Sequence, residues 1–373
     1  MAPKRIFHMT GLFVLFFAAP VISDSADRKS LRERFRERRE QLRERTPESV
    51  EEKKAAADSG GAGLRSMTLK HRGQDRNYLL YVPEDSPARR ARMPLVLALH
   101  GGGGSARQAM ESMRMQEIAA RERFVLVYPE GTGRKAMGRI MGAWNAGVCC
   151  GDAATKNVDD VGFISKLIDT LIREYPVDPK RVYAMGISNG GAMAYRLACE
   201  LSGKIAAIGP VAYNGEIADC PLSRPVPLIH LHGLLDGCAL YGGGEECGGC
   251  FQKLLGRAGK GGSKRADKFP CTAVPELMQT WKIRNKLSDR SEVVTSSGSA
   301  RCAGYGRGEP GEIVLCTDDN LGHRWPGGPV SGACARGLES AACRKSIEAQ
   351  GPYSAELAAN ELIWDFFKKH QLR

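Results

Sequence analysis

A serine between glycines is the first residue of this sequence whose setting favours chemistry. Ser188 lies in the segment 186–190, which reads G-I-S-N-G, after the apolar run 182–185 and before a helical pattern. A tight turn between a strand and a helix is typical of a nucleophile, because it exposes the hydroxyl at the positive end of the helix. The ordinary alternative is a serine in a glycine turn without a reactive role. A catalytic role therefore requires an acid, a base and an oxyanion hole in the right order.

A carboxylate follows the buried strand predicted at 228–232. Asp236 comes four residues after this strand, where it can orient an imidazole. Asp219 also follows a strand, but it lies in a loop beside a cysteine and a proline. The aspartates at 159–160 precede the serine and fit the N-terminus of a helix. The order Ser, Asp, His favours Asp236 as the acid.

The sequence offers few histidines for the base. Of its seven histidines, only His323 and His370 follow the predicted acid, and His370 lies in the tail of the last predicted helix. His323 lies in the segment 321–328, L-G-H-R-W-P-G-G, which is typical of a loop that holds a ring at a fixed place. A lone loop histidine is usually only solvated, but elimination and chain order both indicate His323. The resulting order Ser, Asp, His is that of α/β-hydrolases.

Four glycines follow His100 at the end of the strand predicted at 95–99. In a serine hydrolase of this topology, the loop after this strand donates one backbone N–H to the oxyanion. Gly102 is the predicted donor, with Gly103 close behind, and the N–H of Asn189 is the predicted second donor. A phosphate loop would need a following Lys and Ser or Thr, which are absent. A flexible turn without function is the remaining alternative.

Strands that alternate with helices predict an α/β fold, with a mostly parallel central sheet covered by helices on both faces. Together with the order Ser, Asp, His, this pattern predicts the α/β-hydrolase fold, formed by a single catalytic domain at 64–373. Strands are predicted at 66–71, 77–82, 95–99, 124–128, 182–185, 205–211, 228–232, 292–295 and 312–316, and helices up to Arg121 and at 160–174, 275–285 and 357–367.

The N-terminal region is typical of an exported protein. Lys4 and Arg5 precede a short apolar run, which predicts a signal peptide at 1–26 and no stable membrane span. An Arg- and Glu-rich spacer is predicted at 27–63. The 12 cysteines favour disulfides and a secreted or periplasmic location. The net charge of +12 comes without a nucleic-acid motif, so no nucleic-acid partner is expected. A solvated basic surface is expected, and attraction to acidic polysaccharide is the alternative.

A basic, cysteine-bearing insertion is predicted at about 238–273, directly after the acid. Its cysteines at 238, 247, 250 and 271 allow either disulfides or a zinc site, and the exported context favours disulfides. The insertion is expected either to border the substrate groove and favour acidic or bulky substrates, or to be a surface excursion. Cys149 and Cys150 are adjacent, so each is expected to pair with a distant cysteine.

The sequence resembles the secreted polyhydroxybutyrate depolymerase and feruloyl esterase-like branch of the α/β-hydrolases, similar to carbohydrate esterase family 1. The resemblance covers most of 64–373 and is carried by six ordered motifs: Leu99 to Ser105, Trp144 to Gly151, Asn157 to Phe163, Gly186 to Gly191, His232 to Asp236 and Gly322 to Gly327. It implies hydrolysis of carboxylic esters through an acyl-enzyme on Ser188, with His323 as base and Asp236 as its partner.

The resemblance also implies a substrate class. Feruloyl, acetyl or hydroxyalkanoate esters are expected, carried by plant cell-wall polysaccharide or polyester fragments, with no cofactor and no metal. Trp144 and Trp325 either line the acyl or sugar site or pack in the interior. The insertion after the acid and the lack of a polymer-binding module depart from the family pattern. A catalytically silent binding protein and a serine peptidase are the alternatives.

Overall fold

The computed structural model describes residues 63–373 except 84–91, 137–138, 148–150, 216–219, 249, 251–268 and 289. The predicted signal peptide, nearly all of the predicted spacer, Cys149, Cys150 and most of the predicted insertion lie outside these residues. The described strands are Leu64–His71 (β1), Gln74–Tyr81 (β2), Met93–Leu99 (β3), Val125–Pro129 (β4), Thr132–Ala136 (β5), Arg139–Ala143 (β6), Val177–Ile187 (β7), Ala207–Val211 (β8), Leu228–Gly233 (β9), Gly244–Cys247 (β10), Phe269–Cys271 (β11), Ser291–Ser297 (β12), Ala300–Tyr305 (β13) and Ile313–Asp318 (β14). The described helices are Ala106–Met113 (α1), Gln116–Glu122 (α2), Gly151–Thr155 (α3), Asp160–Glu174 (α4), Asn189–Glu200 (α5), Val274–Arg284 (α6), Ala341–Gln350 (α7) and Ala359–Phe367 (α8).

A ten-stranded sheet organises these elements, in the order β1-β2-β4-β3-β7-β8-β9-β14-β13-β12. The central strands from β4 to β14 pair in parallel, and the strands at both ends pair antiparallel. Parallel strands bring their carboxyl ends to one edge, where the loops that follow β3, β7, β9 and β14 meet. This is the α/β-hydrolase fold that the sequence predicted.

The core lies on both faces of the sheet. Along β3, Leu95 and Leu97 join one buried cluster, whereas Val96 and Ala98 join the other. Helices α4, α5 and α6 cover the first face, and α1, α2 and α8 cover the second. Because both faces are covered, the central strands are continuous apolar runs, which is why the sequence revealed them.

Some elements were not predicted from the sequence. The hairpin of β5 and β6 and strand β13 lack runs of β-branched residues, and β13 is held between β12 and β14. Helix α7 begins after Ser340, whose Oγ accepts a hydrogen bond from the Cys343 N–H.

In the described part of the chain, no helix is both long and apolar enough to cross a bilayer.

Disulfides join every described cysteine. The pairs are Cys199–Cys220, Cys238–Cys250, Cys247–Cys271, Cys302–Cys316 and Cys334–Cys343. The prediction of disulfides rather than zinc at 238–271 is therefore confirmed. The prediction that Cys149 and Cys150 each pair with a distant cysteine stays a prediction, because both residues lie outside the described part of the chain.

Candidate active site

Ser188 occupies a strained turn between β7 and α5. Its φ of 57° and ψ of −124° are unfavourable for a residue with a side chain. The turn is held by hydrogen bonds from the Ser188 N–H to the Val211 carbonyl, at 2.9 Å, and from the Ala192 N–H to the Ser188 carbonyl. A Cβ at Gly190 would lie 2.5 Å from the His100 carbonyl oxygen, so only glycine fits there. The elbow that the sequence predicted is therefore present, with the serine at the N-terminus of α5.

Asp236 and His323 meet beside this turn. His323 Nδ1 lies 2.8 Å from Asp236 Oδ2 and 3.1 Å from Oδ1, and both side chains are buried. Since a carboxylate only accepts hydrogen bonds, Nδ1 donates and Nε2 is left as the acceptor in the neutral ring. Burial alone would raise the pKa of Asp236, but the charge of His323 and the hydrogen bond from its ring outweigh burial and hold that pKa below its ordinary value.

Backbone groups hold the carboxylate and the imidazole in place. Asp236 Oδ1 accepts hydrogen bonds from the N–H groups of Cys238 and Ala239, at 2.8 and 2.7 Å. The His323 N–H donates to the Gln350 carbonyl at 2.6 Å. Asp236, Cys238 and His323 are close enough to surround a metal ion. Cys238 is bonded to Cys250, however, so it cannot supply a thiolate ligand.

A buried chain of hydrogen bonds that the sequence analysis missed lies behind Asp236. His232 Nε2 donates to the Ala239 carbonyl at 2.7 Å, so its Nδ1 accepts from His230 Nε2 at 3.0 Å, and His230 Nδ1 accepts from the Tyr195 hydroxyl at 2.8 Å. Burial lowers the pKa of His232, and that of His230 well below its ordinary value. Both rings are thus neutral and fix the loop that carries Asp236. This contact between the two rings could have been predicted from the sequence, because a spacing of two residues on β9 places both side chains on one face of the sheet.

The glycine loop after β3 borders the same cleft, which Gly101 and Gly102 line beside Ser188. The Gly103 N–H donates to the Gly142 carbonyl at 2.8 Å, and the Gly104 N–H donates to the Gly101 carbonyl. The N–H of Gly103, the second choice for the oxyanion hole, is therefore already hydrogen-bonded within the protein. This favours the N–H of Gly102 as the donor to the oxyanion. The Asn189 side chain bonds the backbone N–H and carbonyl of Trp144, at 2.6 and 3.0 Å.

His100 fixes the glycine loop, and the sequence analysis did not assign it this role. Its Nε2 accepts from the Gly131 N–H at 2.9 Å, so Nδ1 donates to the Gly101 carbonyl at 2.8 Å. Burial lowers the pKa of His100 to about 4, so the ring is neutral at neutral pH. The position of His100 between a buried strand and the glycines could have predicted this role from the sequence.

The two tryptophans have different surroundings. Trp144 is fully buried in the core, and its Nε1 donates to the His100 carbonyl at 3.0 Å. Trp144 is thus a packing residue, and the expectation that it lines a substrate site is corrected, because its ring is buried against that of His100, with 5.0 Å between the ring centroids. Trp325 does line the cleft, and its Nε1 donates to Asn360 Oδ1 at 2.9 Å.

The cleft itself has a volume of about 330 Å³, which suits a small organic ligand. Ser188 and His323 both line it, and part of its lining comes from the segment that contains the disulfide Cys334–Cys343. A nucleophile, a base with its carboxylate and a glycine loop therefore surround one ligand-sized space. Such a set can carry out acyl transfer.

Residues 76–219 match the family described as esterase PHB depolymerase. This match confirms the resemblance that the ordered motifs predicted. Among curated relatives, a feruloyl esterase B of Piromyces equi is 35% identical over 156 residues, or 40% of this chain and 27% of that protein. A bifunctional acetylxylan esterase/xylanase of Neocallimastix patriciarum is 30% identical over 46% of this chain and 23% of its own length.

This chain thus spans about a quarter of the length of these two relatives. A putative esterase, NocK, of Nocardia uniformis subsp. tsuyamanensis is similar over more of its length, with 28% identity over 72% of this chain and 78% of that protein. Among solved structures, an acetyl xylan esterase from Aspergillus awamori has a TM-score of 0.47 and 15% identity, covering 70% of this chain and 94% of that one.

Proposed function

We propose that this chain is a serine esterase that hydrolyses carboxylic esters through an acyl-enzyme on Ser188. The family match and the esterase names of the relatives support ester hydrolysis. The observation that carries the serine mechanism is the pair formed by His323 Nδ1 and Asp236 Oδ2, 2.8 Å apart, on the same cleft as the strained Ser188.

In the first half-reaction, His323 Nε2 takes the proton of the Ser188 hydroxyl as its oxygen attacks the ester carbonyl. The carbonyl oxygen becomes negatively charged and accepts hydrogen bonds from the N–H groups of Gly102 and Asn189. These donors are fixed before the charge develops, so they stabilise the transition state more than the ester. His323 then gives its proton to the alcohol oxygen, and the alcohol leaves the acyl-enzyme.

In the second half-reaction, a water molecule takes the place of the alcohol. His323 removes its proton, the hydroxide attacks the acyl carbonyl, and the proton returns to the Ser188 oxygen as the acid leaves. Asp236 keeps Nδ1 of the ring protonated and stabilises the imidazolium in both halves. The depressed pKa of Asp236 suits this role, because its carboxylate stays ionised at neutral pH.

The proposed substrates are feruloyl, acetyl or hydroxyalkanoate esters, carried by plant cell-wall polysaccharide or polyester fragments. The relatives' names support the first two classes, and the family description supports the third. Export is part of the proposal, because five disulfides are typical of proteins from oxidising compartments.

The test is covalent labelling of the purified chain by a fluorophosphonate probe, followed by peptide mapping. Wild type should carry the probe on Ser188, Ser188→Ala should not react, and Ser291→Ala, at an exposed serine on β12, should label normally. Rates on feruloyl, acetyl, hydroxybutyrate and peptide substrates then separate an esterase from a peptidase. An unlabelled wild type that turns over no ester would instead identify a silent binding protein.

A further inference from the structure

Arg324 follows His323 in the chain and lines the same cleft. It is the one residue of fixed charge among the described residues that line the cleft, and no Asp or Glu lines it. A ligand in this space therefore meets a positive charge beside the base. The chemistry of the proposed triad does not need this charge.

The guanidinium is held by neutral partners. Nη2 donates to the hydroxyl and the carbonyl of Ser346, at 2.8 and 3.1 Å, and Nη1 donates to Gln350 Oε1. The guanidinium also stacks over the Tyr353 ring, 4.4 Å from its centroid. Burial lowers the pKa of Arg324, but an arginine remains charged at neutral pH. Its orientation is thus fixed while its charge stays without an ion-pair partner among the described residues.

Arginine is suited to bind a carboxylate, because its planar guanidinium presents N–H groups in a fork that matches two oxygens. Nη1 carries two N–H groups, and the bond to Gln350 uses one of them. In the proposed mechanism, His323 must reach the leaving alcohol oxygen to protonate it. The alcohol portion of the ester therefore lies on the side of the cleft from which His323 and its neighbour Arg324 project.

We propose that Arg324 binds a carboxylate on the alcohol portion of the substrate, which rests on the proposed esterase function. The preferred substrates would then be esters of acidic alcohols. Two sources share this chemistry: a hydroxy acid, as at the carboxyl end of a polyester fragment, and a uronic acid of a polysaccharide. A neutral ester would react without this contact and bind more weakly.

A purely structural role for Arg324 leads to a different expectation. Nη2 reaches the Ser346 and Gly351 carbonyls at the C-terminal end of α7, so Arg324 also stabilises that helix end. If this support were the only role of Arg324, its loss would lower the rates on all esters by a similar factor. The ratio of kcat/KM between charged and neutral substrates therefore separates the two roles.

The experiment compares substrates that differ in one charge, with acetate release as the readout. One arm uses 3-acetoxybutyrate against 3-acetoxybutyramide, and the other uses an acetylated methyl glucuronide against the same ester of methyl glucoside. Wild type should favour the carboxylate at least roughly tenfold in one arm, the expected scale of a hydrogen bond to a charged group. The preference should shrink at high salt. The arm with the larger ratio identifies the source of the carboxylate.

Variants then assign the preference to its residue. Arg324→Gln should lower kcat/KM for the charged ester roughly tenfold to a hundredfold and leave the neutral ester within about threefold. Arg324→Lys should keep part of the preference. Arg344→Gln makes the same charge change at an exposed position of α7 and should keep all of it.

Equal losses on both esters in Arg324→Gln, or a wild type without preference in either arm, would overturn the carboxylate site while leaving the esterase intact. A chain that hydrolyses none of the four esters and does not react with the fluorophosphonate would refute the proposed function itself. If Arg324→Gln does not fold, the wild-type ratios and their salt dependence decide.

Discussion

The two halves of the cleft are held in place by different physical means. The nucleophile half consists of the glycine loop 100–104 and the elbow 186–191, and the base half consists of the loops that carry Asp236 and His323. The nucleophile half is positioned by backbone packed against backbone between central strands. The base half is positioned by hydrogen bonds and disulfides from distant parts of the chain.

In the nucleophile half, glycines allow neighbouring backbone segments to lie in close contact. A Cβ at Gly186 would lie 2.6 Å from the Gly190 carbonyl, and one at Gly190 would contact the Leu99 carbonyl oxygen. In the base half, Asn214 Nδ2 donates to the carbonyls of Leu240 and Thr272, at 2.6 and 2.7 Å, and ties together the two ends of the segment after the acid. Steric fit thus positions the nucleophile half, and cross-links position the base half.

The largest expected effect tests whether the two halves act as one unit. Ser188→Ala and His323→Ala should each lower kcat by roughly 10⁴-fold or more, and combining them should cost little further. Asp236→Asn keeps an oxygen that can accept from Cys238 and Ala239 but favours the wrong tautomer of His323, so a loss on the order of 10⁴-fold is expected. Steady-state rates on an aryl ester measure this. If the loss of kcat in the double variant were the product of the two single losses, Ser188 and His323 would contribute independently and the two halves would not act as one unit.

The second prediction concerns steric fit in the nucleophile half. Gly190→Ala forces a methyl group into two backbone carbonyls, so we expect roughly 3 kcal/mol or more of lost stability, or failure to fold. Gly203→Ala is the matched control, because a Cβ there would meet nothing within 4 Å. Urea unfolding compares them. A Gly190→Ala chain as stable as the control would contradict the packing account.

The third prediction concerns cross-links in the base half. Replacing Cys247 and Cys271 by Ser opens a loop with a sequence separation of 24, which should remove roughly 3 kcal/mol of stability and lower kcat, because the segment begins beside Asp236. Replacing Cys199 and Cys220, separated by 21, should remove about as much stability and leave kcat unchanged in the folded fraction. Equal kcat in both variants would contradict the idea that the disulfide Cys247–Cys271 positions the base half for catalysis.

The same contrast explains what the sequence could predict. The elbow was predictable because a strand, a tight turn and a helix leave a continuous local pattern. Strands β3 and β7 were recognisable because both of their faces are buried. Asp236 and His323 followed from chain order, and the structure brings them together.

Features that depend on distant contacts left weaker signals. The hydrogen bond of His232 to Ala239 requires the fold of the loop after β9, and the burial of Trp144 depends on its contacts with His100, which is distant in the sequence. The pairing of Cys238 with Cys250 and of Cys247 with Cys271 could not be derived from spacing, since four cysteines allow three connectivities. Strand β13 owes its conformation to its two neighbours.

The smallest expected effect concerns Glu130, an ionisable support of the nucleophile half. Its Oε2 accepts from the Ala106 N–H at 3.1 Å, and its Oε1 lies 3.6 Å from His100 Nε2 without a hydrogen-bond partner among the described residues. Burial raises the pKa of Glu130 to about 7, although the bond from Ala106 and the charge of Arg76 oppose this. Below about pH 7, the folded chain therefore favours the neutral carboxylic acid of Glu130.

The sign of the pH dependence follows from this shift. Between the unfolded value of 4.5 and about 7, the folded chain holds a proton that the unfolded chain has lost. Stability from Glu130 must then fall as pH rises through this window and stay low above it. Glu130→Gln keeps an acceptor for Ala106 and carries no charge. It should exceed wild type at pH 8 by roughly 1–3 kcal/mol, since one pKa unit is about 1.4 kcal/mol, and approach wild type near pH 4.5.

Urea unfolding at both pH values measures this difference, with Glu111→Gln, at an exposed position of α1, as the control. A Glu130→Gln advantage that is the same at both pH values would indicate a change in packing rather than loss of a titrating group. An advantage confined to high pH would show that Glu130 in the nucleophile half is favoured as the neutral acid, whereas Asp236 in the base half is favoured as the carboxylate.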